Sequence, residues 1–98
     1  MTVGLILEFQ GVDQSQYDAV NGKLGIDPKS GKGDWPAGIL SHVGATTDDG
    51  GLVVIELWDS KDSQESFMNG RLGKALGEVG VPAPVRVTWF DVIAQHTT

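Results

Sequence analysis

The chain has 98 residues, enough for one domain spanning 1–98, with 40% hydrophobic and 20% charged residues, an ordinary globular balance. Its net charge of −6, with seven scattered basic residues, argues against nucleic acid and anionic membrane surfaces as partners. The absence of cysteine excludes a disulfide framework, thiolate metal sites and a cysteine nucleophile.

No apolar run approaches the roughly 20 residues that cross a bilayer. Val3 to Leu7 has neither a basic flank nor a small-residue cleavage pattern, so a cytoplasmic protein without a signal peptide is expected. Val3 to Phe9 reads as the first strand, apolar on more than one side. Asp13 with Gln16 is a capping-box pattern, followed by Tyr17, Val20 and Leu24 at helical spacing, and Gly25 closes that helix.

Ile26 to Gly38 is rich in Gly, Pro, Asp and Lys and superficially resembles a phosphate loop. Counting back from Gly31-Lys32, the required glycine falls on Ile26, Gly33 stands where Ser or Thr is needed, and the segment follows a helix. A surface loop is expected instead, with Trp35 folded onto the body or gating a pocket.

Ile39 to Thr46 is a second strand, and Asp48-Asp49-Gly50-Gly51 is a hairpin signal leading into Gly51 to Trp58. This third strand has Leu52, Val54 and Trp58 on one parity and Val53, Ile55 and Leu57 on the other. Both faces are apolar where a half-wet strand would alternate. Helices of so short a chain can cover one face, so a second copy is expected over the other.

Asp59 or Ser60 caps a second helix running to about Leu76, with Gly70, Gly73 and Gly77 serving close packing or leaving room for a ligand. Gly80 to Pro84 is a turn, and Val85 to Ile93 is the last strand. The order strand, helix, strand, strand, helix, strand implies a ferredoxin-like βαββαβ, α+β fold. Its four-stranded antiparallel sheet has two helices on one face, and its first and third strands are central.

The chain resembles the dimeric α+β barrels, in particular the small bacterial antibiotic-biosynthesis-monooxygenase-like proteins. The resemblance is carried by Gln16-Tyr17-Asp18-Ala19-Val20, Pro36-Ala37-Gly38, His42-Val43-Gly44, Gly50-Gly51 and Val54 to Ser60 ahead of Phe67. It implies two sheets packed face to face in a homodimer. Members of the superfamily include cofactor-free monooxygenases, haem-degrading enzymes, isomerases and proteins without known activity, so the fold narrows function only a little. The haem-degrading relatives place a histidine on the second helix, and Ser60 to Gly77 contains none.

His42 is the candidate acid/base, against the plainer reading of a packed histidine. Its face depends on the hairpin. An even loop sets it beside Ile55 and Leu57, an odd one beside Glu56, and the even loop is the expectation. Glu8 and Glu56 are expected about 10 Å apart, three residues out of step. They are read as individually solvated or paired with Arg86. Tyr17, Trp35, Trp58 and Phe67 are the candidate walls of a pocket for a small apolar or aromatic ligand. With only His42 and His96 available, no metal site is expected, and no organic cofactor. Three functions fit: a ligand-binding module, a cofactor-independent monooxygenase or isomerase with His42 as acid/base, or a structural dimer without a cavity. Binding is favoured, because His42 has no evident orienting partner.

Overall fold

The computed structural model describes residues 2–97. The chain enters through β1 (Val3–Phe9) and turns at Gly11 into α1 (Gln14–Leu24). The expected capping box is formed: the Asp13 carboxylate accepts from the Gln16 amide at 3.0 Å, and the Gln16 side chain accepts from the Asp13 N–H at 3.1 Å. Gly25 ends the helix as its C-cap.

The segment expected as a plain loop instead folds back on itself. Two short strands, β2 (Ile26–Asp27) and β3 (Lys32–Gly33), pair as a hairpin. The long strands β4 (Ile39–Thr46) and β5 (Leu52–Trp58) follow. Ser60 then caps α2 (Lys61–Phe67), accepting from the Ser63 amide. The second helical segment does not stop near Leu76. It passes through a π-helical turn, Met68–Leu72, and continues as α3 (Gly73–Val79). Gly70 leaves helical geometry there (φ −114°, ψ −105°), and a Cβ on Gly70 or Gly77 would meet no atom within 4 Å. Close packing is therefore not what these two glycines serve. The last strand, β6 (Arg86–Asp91), is shorter at both ends than expected.

The four long strands form one antiparallel sheet in the order β4-β5-β1-β6, so the first strand and the Gly51–Trp58 stretch are central as expected. Register assigns the two faces. Leu5, Leu7 and Phe9 lie opposite Glu56, Val54 and Leu52, and all are buried beneath the helices. Tyr17, Val20 and Leu24 from α1 and Phe67 and Ala75 from the second helical segment complete that core. On the other face Ile6, Val53 and Leu57 adjoin Val43, Ile55 and Phe90, which are 49%, 37% and 36% exposed. Helices from this chain do not cover that apolar surface.

The hairpin overturns the even-loop expectation. Thr46 pairs with Leu52, and the Thr47 N–H donates to the Gly51 carbonyl at 2.9 Å, closing a three-residue turn. Gly50 takes the left-handed position (φ 85°) that such a turn demands and a Cβ disfavours. An odd turn shifts parity by one, and a one-residue slip moves every side chain to the opposite face. His42 therefore pairs with Glu56 on the helix-covered face, while Val43 and Ile55 take the open one.

Candidate active site

Four side chains from three elements form one hydrogen-bonded row. Helix α1 presents Tyr17 inward, β4 supplies His42, and β5 supplies Glu56 and, two residues on along the same face, Trp58. Tyr17 Oη lies 2.6 Å from His42 Nε2, His42 Nδ1 lies 2.8 Å from Glu56 Oε2, and Trp58 Nε1 donates to Glu56 Oε1 at 3.1 Å. A carboxylate only accepts, so the contact to Glu56 places the imidazole proton on Nδ1. Nε2 then carries the lone pair and accepts the Tyr17 hydroxyl. Every donor in the row points toward Glu56.

The Glu56–Trp58 end of the row is shielded from water. Glu56 is 4% exposed, and Trp58 is fully buried. A buried carboxylate is tolerable only when its oxygens are satisfied, and both are. Burial pushes the Tyr17 hydroxyl above its ordinary value of 10.0, and the Glu56 and Asp18 charges push the same way. The Asn21 side chain, one helical turn from Tyr17, opposes them by favouring the ionised oxygen. Asn21 Nδ2 is buried and has no hydrogen-bond partner within 3.5 Å. Glycine at position 44 is what lets Tyr17 close on His42, since a Cβ there would run into the phenol ring and its hydroxyl.

Two spaces meet at Tyr17, Asn21 and His42. One is a narrow, largely apolar cavity of about 60 Å³, walled by Leu7, Val20, Trp35, Phe67 and neighbours. The other is an open cleft of about 780 Å³ between α1, the β2–β3 hairpin and β4, with Asp18, Asp27 and Lys29 among its walls. The narrow space has room for a few water-sized molecules. The cleft is the larger of the two.

Of the residues expected at the site, His42, Tyr17, Trp35 and Phe67 line the cavity. Trp35 packs against the imidazole, with ring centroids 5.5 Å apart, and donates its N–H to the Gly31 carbonyl. Arg71 braces this loop, donating to the Leu24 and Asp34 carbonyls at 2.9 and 2.7 Å. Trp58 is not among the cavity's lining residues. It lies behind Glu56, tilted against Phe67, and acts through the carboxylate.

Glu8 and Glu56 are three register positions out of step as expected, and they also face opposite sides of the sheet. Glu8 pairs with Arg86 at 3.6 Å, whereas the expectation of a solvated Glu56 is wrong. Glu56 shares its parity with Leu52, Val54 and Trp58, the signal that it points inward. Asn21 was also readable, being four residues beyond Tyr17 on the stripe that holds Val20 and Leu24. Among the described residues no group of three or more His, Cys, Asp or Glu side chains could hold a metal ion. No helix among them is long and apolar enough to cross a membrane.

No protein-family model matches the chain, and no curated protein sequence does. Solved structures do. A Chloroflexus aurantiacus protein assigned as an antibiotic biosynthesis monooxygenase superposes with a TM-score of 0.68 at 20% identity, over 99% of this chain and 98% of its own. SnoaB, a cofactor-independent oxygenase from Streptomyces nogalater, gives 0.63 at 14% identity over 98% and 95%. The monooxygenase from the ActVA-Orf6 gene of Streptomyces coelicolor, solved with nanaomycin D, gives 0.61 at 16% over 99% and 91%. The chain shares the ferredoxin-like α+β fold of these proteins. Identities this low establish the fold alone, so the chemistry of this member of the fold must be read from its own side chains.

Proposed function

We propose that this protein is a homodimeric oxygenase that needs no cofactor and acts on a phenolic, enolisable aromatic compound bound in the cleft. One observation carries the proposal: the buried row in which Glu56 orients His42 and His42 accepts the Tyr17 hydroxyl. From sequence, binding without turnover was favoured because His42 lacked an orienting partner. Glu56 is that partner, and the balance moves to catalysis. Tyr17, which lines both spaces, takes a proton from the substrate as its own passes to His42 Nε2, and Glu56 stabilises the resulting imidazolium. The carbanion formed passes electrons to dioxygen, for which the small apolar cavity beside Tyr17 is suited. For an anthrone-like CH₂ group the overall change is R₂CH₂ + O₂ → R₂C=O + H₂O. The oxygenase names attached to two of the structural neighbours favour this reading over an isomerase.

The homodimer rests on the uncovered sheet face. Val43, Ile55, Phe90, Ile6 and Leu57 make it apolar at its centre, with Glu8 and Arg86 paired at one end. A second copy laid sheet to sheet covers it and leaves both clefts free.

The test is oxygen uptake with 1,8-dihydroxyanthrone, measured above the uncatalysed rate. One equivalent of dioxygen should disappear per anthrone, and Tyr17→Phe and His42→Ala should each lose about 10²–10⁴ in rate. Uptake no faster than in buffer, or unchanged in both variants, refutes the oxygenase and leaves a binding protein.

A further inference from the structure

Among the described residues, one buried side-chain polar atom lacks a partner: Asn21 Nδ2. Asn21 is 7% exposed and lies on the apolar stripe of α1, where a carboxamide is costly. A leucine would fill the same space without leaving a donor unpaired. The residue also lines both the narrow cavity and the open cleft. An unpaired donor on a residue that borders two spaces is poor packing and suits recognition.

We propose that Asn21 Nδ2 is a ligand-binding donor for an anionic oxygen, holding the phenolate or enolate oxygen of an aromatic ligand whose ring lies in the cleft. The inference rests on the oxygenase reading for its ligand class and deepens it by naming the group that stabilises the anion. Tyr17 stands one turn away, so an acidic hydroxyl reaching it from the cleft also meets the Asn21 amide. When the ligand's proton moves through Tyr17 to His42, the imidazolium offsets the Glu56 charge behind it. The new negative charge stays on the ligand oxygen, where a neutral N–H donor is required. The cleft wall carries Lys29 together with Asp18 and Asp27, so it supplies no net positive charge and the amide must hold the anion itself.

The probe is 4-nitrophenol, whose phenolate band reports ionisation directly, with 4-nitroanisole as a control that has no proton to lose. Wild-type protein should bind 4-nitrophenol with the phenolate band dominant and bind 4-nitroanisole more weakly. Asn21→Leu should weaken 4-nitrophenol binding about tenfold to a hundredfold, the range of one hydrogen bond to a charged group. Its Tm should stay level or rise, because an unmatched buried donor is removed. Asn21→Asp should also lose binding, by repulsion. Asn21→Leu binding within twofold of wild type overturns the inference, as does a Tm fall with binding intact, or equal affinity for both probes. The two readings fail separately. Asn21-dependent phenolate binding without oxygen uptake sinks the oxygenase and keeps this site, whereas turnover with binding indifferent to Asn21 does the opposite.

Discussion

Glu56→Gln probes the row at its buried end. The carboxylate accepts two N–H groups, from His42 at 2.8 Å and Trp58 at 3.1 Å, at a residue 4% exposed. A carboxamide offers one accepting oxygen and an NH₂ group that only donates. Either one N–H must face another donor, or the imidazole proton moves to Nε2, where it donates to Tyr17 Oη and leaves the Tyr17 proton without a base. The first arrangement leaves a buried polar group unmatched, and the second gives up the charge-assisted bonds to the carboxylate, at a cost of about 1–3 kcal/mol. In a domain of this size each kcal/mol moves Tm by about 4–8 °C, so a fall of roughly 5–20 °C is expected. Trp58→Phe in the same background removes one of the competing donors. The double variant should therefore be less destabilised than the sum of the singles, with a coupling of about 0.5–3 kcal/mol. Denaturant unfolding at fixed protein concentration measures the cycle, and oxygen uptake with 1,8-dihydroxyanthrone should fall about 10²–10⁴ in Glu56→Gln. A single variant within about 0.3 kcal/mol of wild type, with its rate intact, would show that Glu56 neither stabilises nor orients the row.

Three further outcomes follow from the same geometry. Tyr17 is the chain's one tyrosine, so tyrosinate absorbance reports it alone, and its midpoint should lie above 10.0. Because the folded value is raised, the stability it contributes is full below pH 10 and lost as pH rises through the folded value. Tyr17→Phe should flatten that alkaline decline, and an unchanged decline would exclude Tyr17 as its source. Gly44→Ala should push Tyr17 off His42, destabilise by about 1–3 kcal/mol and return the tyrosine midpoint toward 10.0; a midpoint as high as in wild type would contradict the close approach. Ile55→Lys, at the centre of the uncovered face, should turn a sedimenting dimer into a 10.4 kDa monomer without lowering the monomer's helix content; wild-type protein sedimenting at 10.4 kDa at micromolar concentration would end the dimer proposal.

What the chain's own pattern settled is whatever depends on neighbours in sequence. Asp13 and Gln16 cap a helix because they are three residues apart, and Gly51 to Trp58 is central because both its parities are apolar. Strand order followed from those elements and the handedness of their connections. The site was legible in part. His42 and the aromatics were in view, while Glu56 was read as solvated and Asn21 passed over. Both lie on stripes whose inward direction was available from the apolar residues around them.

Only the folded chain decided which groups meet. Sheet parity has a period of two, so one residue more or less in the turn after Thr46 exchanges the faces of β4. Gly50 in the left-handed region makes that turn odd, and with it His42 comes to Glu56 rather than to Ile55. The pairing of a base with its carboxylate goes with a turn whose left-handed residue lies eight positions away. Local composition permits a turn of either length, and the choice belongs to the packing of the whole sheet against its helices.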